Sequence, residues 1–229
     1  MFDIPMDLKL LEKEIIAYEQ EPIEKGKILF YGHSLFTRWG HPKWGYRRMD
    51  EDIRMKDGSL AVVNHGFGTS TSEELLYYYD RMVRPWEPRA LVLGTYANDA
   101  MYGYGPDEVM VNISKILHWA RTDFPGIKLF LVEDHPRPNT KSYTGKELWN
   151  RNRINRERFL EMIHTYAATH EDTQVIRLWN QPELFETPED VGDYKKVRED
   201  IFHKDMVHPN QAGYDILKEV FNKALGELL

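Results

Sequence analysis

Lys27-Ile28-Leu29-Phe30-Tyr31, followed at once by Gly32-His33-Ser34, is the stretch from which the fold is read. The run 28–31 is apolar without alternation and lies between Gly26 and Gly32. That pattern describes a strand buried on both faces rather than one with a wet side. Working outward, the same pattern recurs at 60–63, which ends in Asn64-His65-Gly66, and at 90–93, which ends in Gly94. It recurs again at 127–132 and 173–178. Between these runs, apolar residues fall at helical spacing over 72–83, 106–122, 146–169 and 211–228. The first of these has Ser70 or Ser72 placed to cap it and Glu73 and Glu74 in its first turn, where the helix dipole favours negative charge. On the third, the apolar set is Leu148, Ile154, Phe159, Leu160, Met162 and Ile163. Buried strands alternating with helices predict an α/β protein with a parallel sheet covered on both faces.

The 229 residues suit one α/β domain over 1–229, with 1–25 as an N-terminal helical extension. Apolar and charged fractions of 41% and 29% are those of a globular chain, which excludes disordered and fibrous classes. Thirty Lys and Arg against 37 Asp and Glu give a net charge of −7, so there is no electrostatic footprint for nucleic acid. The one arginine-rich stretch, 151–158, is interrupted by Asn152, Asn155 and Glu157 and reads as a solvated helix face. The absence of cysteine excludes disulfides, thiolate catalysis and Cys-based zinc sites. Charges spread through residues 3–14 argue against a secretory signal, and no apolar run approaches the roughly 18 residues of a membrane span. The expected location is cytoplasmic.

In a parallel sheet, ligands bind beyond the carboxyl ends of the strands, so the residues after each strand are read together. After the first comes Ser34 at a strand-to-helix turn. There its hydroxyl is exposed and its N–H can face a developing oxyanion; the same position suits a plain N-cap. After the second come Asn64, His65 and Gly66, either a tight turn or a backbone that offers an unshielded N–H. After the third comes Asn98, an amide that can donate to an oxyanion or simply hold a turn. Near the C-terminus stands Asp205-Met-Val-His208-Pro209-Asn210. Pro209 keeps His208 out of the α region, on a loop where a carboxylate three residues back can orient the imidazole for a serine.

Together, Gly32-His-Ser34, Asn64-His-Gly66, Asn98-Asp99 and Asp205-x-x-His208-Pro-Asn resemble the four blocks of SGNH (GDSL-like) hydrolases. The likeness runs from the first strand to the last helix. It implies a three-layer α/β/α flavodoxin-like fold around a five-stranded parallel sheet, and ester hydrolysis without metal or cofactor. By position, Ser34 would be the nucleophile, His208 the base and then acid, and Asp205 its orienter. The N–H groups of Ser34 and Gly66 with the Asn98 amide would form the oxyanion hole. Two positions depart from the pattern: His33 stands where the family has Asp, and Tyr96 stands two residues before Asn98 where the family has Gly. Either Tyr96 replaces that glycine, or Gly94-Thr95 is the matching pair and Tyr96-Ala97 is an insertion. G-x-S-x-G and S-x-x-K arrangements are absent.

The rival from another class is a metal-dependent hydrolase drawing on His33, His65, His135, His203, Asp205 and His208, and no H-E-x-x-H spacing supports it. A third reading keeps the fold as a non-catalytic binding module. His33, His65, Trp39, Tyr96 and His135 are the expected substrate neighbours. Without a long apolar lid segment, the expected partner is a small-molecule ester carrying a short acyl group, such as acetyl, on a polar or carbohydrate-like alcohol.

Overall fold

The computed structural model describes residues 9–138 and 146–229; the side chains of 146–152, Leu148 among them, lie outside that description. Five strands form, each on one of the apolar runs: β1 Ile28–Gly32, β2 Val62–Gly66, β3 Ala90–Gly94, β4 Lys128–Val132 and β5 Thr173–Ile176. All pair in parallel, in the order β2-β1-β3-β4-β5. The helices are α1 Glu12–Glu19, α2 Ser34–Thr37, α3 Met49–Asp52, α4 Ser72–Met82, α5 Ala97–Tyr102, α6 Pro106–Asp123, α7 Lys146–Ala168 and α8 Gln211–Leu225.

Strand side chains alternate between two cores. Leu29, Tyr31, Leu91, Leu93, Leu129 and Leu131 pack beneath α1, α4, α6 and α7. Ile28, Phe30, Ala90, Val92, Phe130 and Val132 pack against α2, α3 and α8. The result is the expected three-layer α/β/α architecture. The N-terminal segment joins the first core through Ile15, and its helix is tied to α4 by Arg81 paired with both Glu12 and Glu19. Ile154, expected on the apolar face of α7, is exposed. No helix among the described residues is long and apolar enough to cross a membrane.

Three local details differ from the sequence reading. The cap of α4 is Thr71, whose hydroxyl accepts from Glu74 N–H while the Glu74 carboxylate accepts from Thr71 N–H. Asn64, His65 and Gly66 are the end of β2 rather than a turn after it. Their register explains why, because Gly32 pairs with Gly66 on one side and with Gly94 on the other. The three glycines form a row across β2, β1 and β3, and Phe36 of α2 lies on it. A Cβ at Gly66 would stand 2.4 Å from Thr37 N, and one at Gly94 would stand 2.9 Å from the Phe36 ring. Finally, β3 ends at Gly94 in register with its neighbours, and Tyr96 adopts φ 90 immediately before α5. A residue in that left-handed region stands where glycine is favoured, so the geometry matches replacement of a glycine rather than an insertion.

Candidate active site

Strand order reverses between β1 and β3, and the crevice beyond their carboxyl ends is where ligands bind in such sheets. Ser34, the first residue of α2, and Asn98, in the first turn of α5, stand on either side of it. The glycine row lets α2 lie close over the sheet, which fixes Ser34 at its edge. His33 caps the turn, its Nδ1 accepting from Leu35 N–H at 3.3 Å.

The loop before α8 brings His208 to Ser34, with Ser34 Oγ and His208 Nε2 2.8 Å apart. On its other side, His208 Nδ1 is 2.9 Å from Asp205 Oδ2. A carboxylate only accepts, so Nδ1 carries the proton and Nε2 is free to accept from the serine hydroxyl. Asp205 Oδ1 takes the backbone N–H groups of Val207 and His208, both at 3.0 Å, which fixes the carboxylate against its own loop. Asn210 closes that loop onto α8 by accepting from Gly213 N–H at 3.1 Å.

Arg38, one turn beyond Ser34, donates from Nη1 to Asp205 Oδ2 at 2.7 Å, and its guanidinium lies over the Trp44 ring. Burial, followed by the positive charge of Arg38, lowers the His208 imidazole to about 4, although Asp205 pulls the other way. Burial pushes the Asp205 carboxyl up, but the N–H groups of His208 and Val207 outweigh it. They hold the carboxyl far below its ordinary range.

A cavity of about 20 Å³ opens beside Ser34, walled by Asn98, Met101, His135, Arg137 and His208 among others. Asn98 donates one amide hydrogen to Ser70 O at 2.9 Å, so the loop after β2 abuts the site there. His33 and His135 also border the cavity, and both are kept neutral by burial, at about 4 and about 3. His135 Nε2 donates to Val207 O at 2.9 Å, joining the β4 loop to the His208 loop.

The remaining expected residues lie elsewhere. Gly66 N–H donates to Asn64 Oδ1 at 3.0 Å beneath α2, so it is not presented to a substrate. His65 is wholly buried between Tyr18 and Trp86, its Nδ1 donating to Met82 O at 2.8 Å. Trp39 is a core residue whose indole N–H donates to Asp52. Tyr96 is buried and stacks on Phe159 at 4.3 Å. With His65 outside the cluster, the rim histidines do not converge as a metal set; among the described residues no three His, Asp or Glu side chains are placed to hold an ion. Sequence reasoning passed over Arg38 and Arg137. The first had a signal, its four-residue spacing from Ser34.

The sequence matches the GDSL-like lipase/acylhydrolase family over residues 30–216. The chain belongs to that family. As a member it is a serine hydrolase acting on esters. Solved structures agree on the fold. A GDSL-like lipase of Bacteroides thetaiotaomicron is 20% identical with a TM-score of 0.67, covering 97% of this chain and 98% of its own. A lipase/acylhydrolase of Enterococcus faecalis is 17% identical with a TM-score of 0.58, covering 87% and 95%. The psychrotrophic esterase EstA of a Pseudoalteromonas species, captured inhibited by monoethylphosphonate, is 15% identical with a TM-score of 0.59, covering 89% and 98%. No curated protein matches the sequence.

Proposed function

We propose that this GDSL-like hydrolase cleaves short-acyl esters of small polar, carbohydrate-like alcohols, with Ser34 as nucleophile, His208 as general base and Asp205 as its orienter. The observation that carries the reading is the unbroken line from Ser34 Oγ to His208 Nε2 at 2.8 Å and from His208 Nδ1 to Asp205 at 2.9 Å, opening on a small cavity. Ser34 attacks the ester carbonyl while His208 takes its proton, then returns it to the departing alcohol. Water repeats the sequence on the acyl-enzyme.

The oxyanion is assigned to Ser34 N–H and to the Asn98 amide hydrogen not used by Ser70. For the third donor, which Gly66 does not supply, we assign the N–H of Thr69. It has no partner among the described residues, and its loop is the one Asn98 touches. Thr69 is held at φ 64, a strained conformation of the kind that gathers at functional sites.

The cavity favours a small acyl group. A volume of about 20 Å³ exceeds the roughly 10–15 Å³ that admits one water, a size that suits a methyl group. On its wall His33, Ser34, Asn98, His135, Arg137 and His208 offer hydrogen-bonding partners to a polar alcohol. The test is hydrolysis of p-nitrophenyl esters of increasing chain length. kcat/KM is expected to be greatest for acetate and to fall steeply from butyrate onward; a maximum at octanoate or beyond would overturn the short-acyl reading.

A further inference from the structure

The cavity wall holds a charged group that ester hydrolysis as described leaves unused. Arg137, on the loop after β4, is only 6% exposed, yet it lines the cavity together with Ser34, Asn98 and His208. One arm, Nη2, donates to Asp134 Oδ1 at 2.9 Å. Its Nε is enclosed and has no hydrogen-bond partner among the described residues. Asp134 is divided between two cations, since its other oxygen faces Arg156 Nε at 2.8 Å. Burial pushes the Asp134 carboxyl up, but Arg137 and Arg156 outweigh it and hold it at about 2, so it is a carboxylate.

A purely structural arginine would be explained by the Asp134 bond alone. That bond does not account for a guanidinium placed on the catalytic wall with an N–H unpaired among the described residues. Buried polar groups nearly always find partners, and a conspicuous exception inside a binding cavity is a place to look for the ligand's partner. The position also works against the catalyst, because the charge of Arg137 disfavours the imidazolium form of His208, as it does for His33 and His135. An anion bound beside Arg137 offsets that field and leaves His208 a stronger base once substrate is seated.

We propose that Arg137 holds a carboxylate of the substrate, so that the ester cleaved at Ser34 carries an anionic group within a few bonds of the scissile carbonyl. A planar two-oxygen carboxylate matches the edge of a guanidinium, and the small cavity accepts it more readily than a tetrahedral phosphate. This rests on the serine-esterase reading above and sharpens its substrate class. The carboxylate belongs either to the acyl half, as in a dicarboxylic half-ester, or to the alcohol half, as in an acylated hydroxy acid.

Two matched pairs separate these sources, each exchanging a carboxylate for a methyl group. Monoethyl succinate against ethyl butyrate reports the acyl side, and 2-acetoxypropanoate against isopropyl acetate reports the alcohol side. In one pair the anionic ester is expected to show a kcat/KM about 10- to 100-fold above its neutral partner, the span of a charge-assisted hydrogen bond. Arg137→Met is expected to collapse that ratio to about one, and Arg137→Lys, which keeps the charge but not the fork, to leave an intermediate ratio. Ratios of one or less in both pairs with the unaltered enzyme, or a preference that survives Arg137→Met, overturn the proposal. Should Arg137→Met fail to fold, the wild-type ratios and the Arg137→Lys ratio still decide it. p-Nitrophenyl acetate runs beside them. Its Ser34-dependent cleavage with no anionic preference removes only the carboxylate assignment, whereas no cleavage of any ester removes the esterase reading and this proposal with it.

Discussion

Arg38 and His208 meet at a single oxygen of Asp205, Arg38 Nη1 at 2.7 Å and His208 Nδ1 at 2.9 Å. The orienting carboxylate therefore serves a permanent cation and a titrating one together. Neutral His208 is the competent base, so kcat/KM rises with pH through its titration. Burial and Arg38 lower that titration to about 4, where the bare Ser–His–Asp pattern suggests a limb near neutrality. Activity is expected to be flat across neutral pH and to fall only in distinctly acid buffer. In Arg38→Gln the imidazolium loses a repelling positive neighbour, so the acid limb moves up toward the ordinary imidazole value. A limb in the same place in both enzymes would show that Arg38 does not act on His208.

Ser34→Ala is expected to lower kcat by on the order of 10⁶-fold while leaving the thermal melt unchanged, since the hydroxyl is the only group lost. A fluorophosphonate should label Ser34 and no other serine, read by peptide mass spectrometry. Label at Ser70 or Ser72, or full turnover in the variant, would remove the nucleophile assignment.

Much of this was legible in advance, and the gaps have a common physical cause. The apolar runs reveal the strands because burial is a local property of each run, most fully in β1 and β3, which are buried throughout, and least in the edge strand β5, where Gln174 is exposed. Asp205-x-x-His208-Pro209 is equally local, since three residues and a proline decide where the two side chains point. What Gly66 does depends instead on strand register. Only the pairing of Gly32 with both Gly66 and Gly94 shows that these glycines seat Phe36 rather than offer an N–H. His65 looked like a rim residue for the same reason, as the true end of β2 lies beyond it. Arg137 gave no signal, because a buried arginine and a surface one look alike in sequence.

Asn98→Ala tests the oxyanion assignment. One of its two amide hydrogens goes to Ser70 O at 2.9 Å, which leaves the other for the tetrahedral intermediate. That bond strengthens as charge develops, so its loss belongs in kcat rather than KM, at about 100- to 1,000-fold. A loss of only a few fold, with KM raised instead, would make Asn98 a clamp on the Ser70 loop and nothing more.

Thr69→Gly keeps the assigned N–H while removing a β-branched side chain from φ 64. Left-handed backbone costs a non-glycine residue about 1–2 kcal/mol, and Thr69 is exposed, so little packing is lost in exchange. The variant is expected to melt roughly 2–4 °C higher for each kcal/mol recovered, measured by scanning calorimetry. An unchanged or lowered Tm would mean that the threonine makes compensating contacts in its loop.

Asp205→Asn against His208→Ala separates orienting a base from being one. His208 moves the proton, so His208→Ala is expected to cost on the order of 10⁶ in kcat, close to the loss in Ser34→Ala. Asp205 holds the Nδ1 tautomer and steadies the imidazolium. Through Oδ1 it also fixes the backbone of Val207 and His208. An asparagine oxygen can keep those two backbone bonds, so the loop survives. Its NH₂, turned toward Nδ1, donates where an acceptor is required and favours the wrong tautomer, as does leaving Arg38 beside a neutral amide. The expected loss is about 10⁴, large but smaller than that of His208→Ala. The pH profile gives a second readout. With the carboxylate gone, the imidazolium loses its counter-charge, so any residual acid limb moves further down in pH, opposite to the shift in Arg38→Gln. If Asp205→Asn is nearly silent, the short contact at 2.9 Å is a structural tie and another group orients the histidine. If His208→Ala is silent as well, proton transfer at Ser34 does not pass through this loop, and the serine mechanism drawn from its geometry fails.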